Sequence, residues 1–350
     1  MQRNFILTDI MKTGNHPMLE DFINLHSLKD QTFDYTGEYY TLHNYDLDKY
    51  DRRFAIIDTR TANKSVDNQE FRAELDKRYK LLHSQGFVFI KANPWESLEN
   101  VNNTLQYPEI AIDHIKWNGG VSWCWFWMYK KHLNNKFKFT HDHFGSYWYK
   151  KHDFLYLNKQ PRKHRVRLYN KLLKENVLSN SIYTNWPTRK LPPEYELPWA
   201  QDYPQYGMDQ EIYEQPYIDT VCSIVSETND NDTDVFMTEK IWKPIIAQQV
   251  FVVHGNHLYL QKLREIGFKT FGSYFDESYD LEHNRDKKID KIVSLCKDLK
   301  TKNWQDIYRQ TISLRQHNYN TFFNKEKLSA VVNKTLIGFL EFFDSSQVSS

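Results

Sequence analysis

Apolar and polar positions along the chain alternate in the manner of short buried strands separated by amphipathic helices. In the first half, Phe54–Asp58 and Phe87–Ile90 are continuous apolar runs of strand length. Between them, the spacing of Phe71, Leu75, Tyr79 and Leu82 predicts a helix over Gln69–Gln85, stopped by Gly86. Strand, helix and strand with short joints imply a βαβ unit and a parallel sheet. A short helix is expected over His16–Leu28, and the aromatic run Val121–Tyr129 reads as a strand. The polar stretch Tyr147–His152 marks a domain boundary, giving an N-terminal α/β domain over 1–149 and a second over 150–323, with a helix and tail over 324–350. In that second domain, strands are expected at Phe154–Leu157, Ser181–Asn185, Thr220–Val225, Gln249–His254 and Phe268–Phe271. Helices are expected at Arg165–Lys174, Asn256–Ile266 (closed by Gly267), Asp286–Leu299, Asn303–Phe322 and Lys325–Phe343. Pro187–Pro216 carries six prolines and reads as one long irregular loop on a binding face.

Composition narrows the classes. Hydrophobic residues at 40% and charged residues at 26% of 350 are globular proportions and exclude a mostly disordered chain or a pure coiled coil. Lys and Arg number 46 against 45 Asp and Glu, so the chain lacks the basic excess of a protein that grips long nucleic-acid backbones. No run is long and apolar enough for a membrane span, and Met1–Phe5 lacks the apolar core of a signal peptide. Cys124, Cys222 and Cys296 are far apart and odd in number, which argues against a disulfide framework or zinc cage and for a reducing cytoplasm. Aromatics reach 16%, which suits sugar or nucleotide ligands and equally suits an AT-rich coding sequence of viral or bacterial kind.

The strongest chemistry lies at Ile224-Val225-Ser226-Glu227-Thr228, followed by Thr238-Glu239-Lys240-Ile241-Trp242-Lys243-Pro244. A buried strand ends in a polar loop and a helix start, the place where open parallel sheets hold ligands. Lys240 beside unpaired backbone N–H groups suits a pyrophosphate, and a glutamate there can accept from both ribose hydroxyls. Pro244 leaves two options: a helix that begins near Lys243, or a turn capped by Thr238 that kinks at the proline. Taken locally, these residues also fit a capped surface helix with solvated charges. A second cluster, Asn158 to Arg165, holds five cationic or histidine residues among eight where a strand gives way to a helix. It fits an anion site, a solvated basic turn or an RNA patch.

The pairing of Ser226-Glu227-Thr228 with Thr238-Glu239-Lys240-Ile241-Trp242 resembles the α-1,3-fucosyltransferases (glycosyltransferase family 10). There a Phe-Glu-Asn-Ser segment precedes Tyr-Val/Ile-Thr-Glu-Lys-Leu-Trp. The likeness covers roughly residues 150 to 275, and the family's Asp-Tyr before the second block is Val235-Phe236 here. The resemblance implies a GT-B fold of two Rossmann-like domains and a glycosyltransferase that is inverting and needs no obligatory metal. The implied donor is a nucleoside-diphosphate sugar, GDP-sugar favoured. Carried over, Thr238, Glu239 and Lys240 hold the donor, Glu239 at its ribose or sugar and Lys240 at its phosphates. Glu227 and Thr228 line the pocket, and Arg165 or Arg162 grips the pyrophosphate. Glu96, in Glu96-Ser97, matches the base that takes the acceptor's proton, with His141-Asp142-His143 its rival. The acceptor is a glycan or another hydroxyl compound, nucleic acid entering only as a modified base.

Two other readings stay open. Asp230-Asn231-Asp232-Thr233-Asp234 contains Asp-x-Asp triplets of the sort with which GT-A-like enzymes hold Mn²⁺ or Mg²⁺. An EF-hand fails, since Val235 takes its glycine position and Ile241 its final glutamate position. A non-catalytic nucleotide- or RNA-binding module would use the Arg162–Arg165 loop and the aromatics.

Overall fold

The computed structural model describes residues 4–7, 33–36, 46–58, 69–93, 109–113, 120–133, 145–158, 160–184, 191–195, 212–228, 230, 235, 237–328 and 330–331. The chain divides into two units, residues 1–126 with 329–350, and residues 127–328. Each carries a parallel sheet with helices.

In the first unit the strands are β1 (Asn4–Leu7), β2 (Phe33–Thr36), β3 (Arg52–Asp58), β4 (Phe87–Asn93) and β5 (Glu109–Asp113). They pair in the order β2-β1-β3-β4-β5, every pair parallel. Helix α1 (Gln69–Ser84) joins β3 to β4 as the spacing predicts, with Tyr79 and Leu82 buried. Gly86 ends it at φ +76, a conformation that costs a side-chain-bearing residue more than glycine. Arg53 on β3 fixes the corner by donating to the carbonyls of Gln85 (2.6 Å) and Leu47 (3.1 Å).

Helix α2 (Gly120–Leu133) corrects the expectation of a strand over Val121–Tyr129. Among its described side chains Cys124, Trp125, Met128, Tyr129 and His132 are buried, a three-to-four-residue stripe. The aromatic content favours a strand locally, but burial of one helical face decides the outcome.

The second unit holds β6 (His152–Tyr156), β7 (Ser181–Tyr183), β8 (Thr220–Ser226) and β9 (Val250–His254), parallel in the order β7-β6-β8-β9. Its helices are α3 (Lys163–Lys174), α4 (Glu214–Asp219), α5 (Glu239–Ile246), α6 (Tyr259–Glu265), α7 (Arg285–Thr301), α8 (Trp304–Gln310) and α9 (Ile312–Phe322). Every residue of β8 and β9 is buried, which is why both read as unbroken apolar runs. Trp242 of α5 anchors one side of the core, its ring 5.3 Å from Phe268 and 5.9 Å from Phe322 of α9. Helix α3 packs against α7, with ion pairs Arg167–Asp286 (3.2 Å) and Lys171–Asp290 at its exposed edge.

Three further expectations change. Phe268–Phe271 is not a strand: the Asn318 amide takes both the N–H (2.7 Å) and the carbonyl (2.9 Å) of Lys269, and Glu277 accepts from Phe271 N–H (2.7 Å). Side chains satisfy this backbone in place of a neighbouring strand. The loop expected over Pro187–Pro216 is overlapped by α4, which begins at Glu214 because Pro216 falls in a first helical turn where no N–H is missed. Asn303–Phe322 is two helices broken at Thr311. There the Thr311 hydroxyl donates to the carbonyl of Ile307 (2.8 Å), and Arg315 Nε donates to that hydroxyl (3.2 Å). The segments His16–Leu28 and Lys325–Phe343 beyond residue 331 lie outside the described residues.

Candidate functional site

Because the strands are parallel, the carboxyl ends of β6, β8 and β9 share one edge of the sheet, and α3 and α5 begin there. Thr238 caps α5, its hydroxyl accepting from Lys240 N–H at 3.4 Å. Of the two options for Pro244, the second comes nearer, though the helix runs unbroken from Glu239 to Ile246 with the proline inside it. Its end is closed by Gln248 at φ +51, with Gln248 N–H donating to Ile245 (3.1 Å) and Gln249 N–H to Pro244 (2.9 Å).

Lys240 Nζ stands 3.1 Å from Thr238 Oγ1, 3.5 Å from Thr228 Oγ1 and 2.5 Å from Glu239 Oε1, with its side chain 24% exposed. Burial works against ionising Glu239, but the charges of Lys240 and Lys243 and the Lys240 hydrogen bond hold its carboxyl below the usual range. Glu227, directly after β8, is fully buried. Its Oε1 accepts from Thr238 N–H (3.1 Å) and the Tyr259 hydroxyl (2.7 Å), and its Oε2 from the Thr238 hydroxyl (2.6 Å). Burial pushes this carboxyl up, while the Lys240 charge and the Thr238 and Tyr259 hydrogen bonds pull it back.

The cationic cluster meets the same strand end. Arg165, 3% exposed, donates through Nε (3.1 Å) and Nη2 (2.9 Å) to the Glu227 carbonyl, which His164 Nε2 also reaches at 3.0 Å. Arg162 is half-buried and serves as N-cap residue of α3, without a side-chain cap bond. Beneath them His254 is fully buried, its ring 5.4 Å edge-on from that of His164 and its Nδ1 3.5 Å from Ser226 Oγ. Burial, with the charges of His164 and Lys288, lowers its pKa well below the ordinary value. The Asn158 amide and His254 Nε2 are buried here without a hydrogen bond among the described residues.

The structure therefore gathers Arg162, Arg165, Glu227, Thr228, Thr238, Glu239 and Lys240 at one sheet edge. Asp230 joins them as a carboxylate 3.6 Å from His164 Nδ1 and 3.9 Å from Arg285 Nη1. Glu96, His141–His143 and Asp232 lie outside the described residues. Tyr259 and His254 are the members that sequence reasoning missed, each appearing there only as part of an apolar run or helix.

No family model matches the chain, and no curated protein matches it. Among solved structures the chain is similar to a crystal structure of an alpha1,3-fucosyltransferase at 10% identity and a TM-score of 0.45, over 89% of this chain and 81% of the other. It is also similar to a crystal structure of an alpha1,3-fucosyltransferase with GDP at 10% identity and a TM-score of 0.41, over 96% of this chain and 91% of the other.

Proposed function

We propose that the chain is a glycosyltransferase that moves a sugar from a nucleoside-diphosphate donor, GDP-sugar favoured, to the hydroxyl of a glycan or similar acceptor. The observation that carries this reading is the meeting of Lys240, Glu239 and the cationic start of α3 at the carboxyl edge of a parallel sheet. Ligands of open α/β sheets lie at that edge, and capped helix starts suit diphosphates. The Thr-Glu-Lys block that resembles the fucosyltransferases sits in the same place. Two buried polar groups without a hydrogen bond among the described residues, the Asn158 amide and His254 Nε2, lie just after β6 and at the end of β9. In this reading the fold is GT-B, with two Rossmann-like domains.

The acceptor oxygen attacks the anomeric carbon from the face opposite the leaving group. The bond from that carbon to the diphosphate oxygen breaks, the nucleoside diphosphate departs with the electron pair, and the hydroxyl proton passes to Glu96. Lys240 and Arg162 meet the charge that grows on the diphosphate, and Arg165 adds its own from beneath. Glu239, held ionised, accepts from the ribose hydroxyls. Asp230 stands 3.9 Å from the Arg285 guanidinium and 3.6 Å from the His164 ring, partners for its carboxylate that favour transfer without a metal on the aspartate run.

Release of nucleoside diphosphate from a panel of GDP-, UDP-, dTDP- and ADP-sugars tests this. One donor is expected to be turned over slowly by water alone, unaffected by EDTA, and Lys240→Ala is expected to lower the rate about 100-fold or more. Release that requires Mn²⁺ and is lost in Asp230→Ala would move the chemistry to the aspartate run. No release from any donor, with salt-sensitive oligonucleotide binding, would replace it with the binding-module reading.

A further inference from the structure

We propose that Tyr259 and Glu227 are positioning residues for the Lys240 ammonium, acting through a hydrogen-bonded relay from the Tyr259 hydroxyl to the Glu227 carboxylate to the Thr238 hydroxyl. The inference deepens the donor-site reading and rests on it for its functional meaning.

Proton accounting fixes the direction of the relay. The Thr238 hydroxyl has one proton and two lone pairs. Its oxygen faces Lys240 N–H at 3.4 Å and Lys240 Nζ at 3.1 Å, so the proton is left for Glu227 Oε2 at 2.6 Å. Glu227 then accepts on both oxygens, and the Tyr259 hydroxyl donates to Oε1 at 2.7 Å. Each group's orientation is set by the next. Glu227 is 0% and Tyr259 1% exposed, so neither meets a ligand; Lys240, at the end of the relay, is the exposed member.

Both ends are pinned from separate elements. The Glu227 main chain is held by Arg165 and His164 at its carbonyl and by its own N–H donating to His254 O at 2.9 Å. Tyr259 opens α6 after Leu258, which sits at φ +60, a strained value for a branched residue. Asp280 holds that strained start: its carbonyl accepts from Leu258 N–H (3.0 Å), and its carboxylate from Leu260 (2.9 Å) and Gln261 (3.1 Å). The Tyr259 ring also lies so close to Gly255 that a Cβ there would stand 2.6 Å from Cδ2. A tyrosine fixed this tightly holds its hydroxyl at one point, and through it a buried carboxylate that no solvent would otherwise orient.

The test is acetylation of the full chain by an N-hydroxysuccinimide ester, with Lys240 followed by peptide mass spectrometry against exposed Lys174 as reference. In Tyr259→Phe and in Thr238→Val the Lys240 rate relative to Lys174 is expected to rise about three- to tenfold, the scale of one lost hydrogen bond. Thr238→Ser, which keeps the hydroxyl, is expected to restore the wild-type ratio. If both hydroxyl-deleting variants keep that ratio, whether or not their melting temperatures fall, the relay is overturned. Should Tyr259→Phe fail to fold, the Thr238→Val and Thr238→Ser pair decides alone. Protection of wild-type Lys240 by added GDP or UDP is read separately. Its absence would remove the donor reading and leave the relay to stand or fall on the ratio.

Discussion

His254 sits at the end of β9 with no exposure, and burial holds its folded-state pKa well below the ordinary 6.5. His164, facing it edge-on, is lowered too, chiefly by burial. Between the folded and unfolded values the unfolded chain binds the extra proton, so the stability these residues contribute is full above about pH 6.5 and is lost as pH falls below it. Glu227 acts oppositely: burial raises its folded pKa, so its ionisation is a cost that acid relieves as pH falls toward the ordinary carboxylate value of 4.5. Melting temperature is therefore expected to drop between pH 7 and 5.5, and His254→Gln to flatten that drop; equal slopes in the two proteins would contradict the assignment. At this scale the sequence was informative where chemistry is local. Thr238, Glu239 and Lys240 are consecutive, and a cap, a first-turn acid and a cation can be read from their order. Tyr259 was not legible, because its bond to Glu227 spans 32 positions and a tyrosine beginning a helix looks like ordinary core.

Elements were legible where burial on two faces writes itself as a continuous apolar run. Strands β8 and β9 follow that rule: all of their residues are buried, with α5 packed against both and α7 against β9. Helix α2 shows the opposite case: Trp123, Trp125 and Trp127 alternate like a strand, while the buried stripe through Cys124, Met128 and His132 is helical. Phe268–Phe271 failed because side chains of Asn318 and Glu277, distant in sequence, took its backbone groups. The turn from β9 into α6 offers an element-scale prediction. Gly255→Ala forces a Cβ into the buried Tyr259 ring. The expected cost is about 1–3 kcal/mol in urea denaturation, accompanied by a rise in Lys240 acetylation as the ring leaves Glu227. A neutral Gly255→Ala would show that α6 moves without resistance, contrary to the pinned start described for it.

At the scale of the whole molecule, two parallel sheets stand in one chain, and the chemistry described here belongs to the second. No described helix is long and apolar enough to cross a membrane, and the three cysteines are buried thiols. The central claim is that the carboxyl edge of the second sheet binds a nucleoside diphosphate through Lys240. The most direct measurement is a thermal-shift panel of GDP, UDP, dTDP, CMP and ADP, with and without Mn²⁺, on wild type and Lys240→Ala. A ligand at a hundred times its dissociation constant adds about 2.7 kcal/mol, well within reach of the method. The account predicts a shift with one diphosphate, GDP favoured, indifferent to Mn²⁺ and lost in Lys240→Ala. A wild-type protein that no nucleotide shifts, or a shift that Lys240→Ala retains in full, would contradict it.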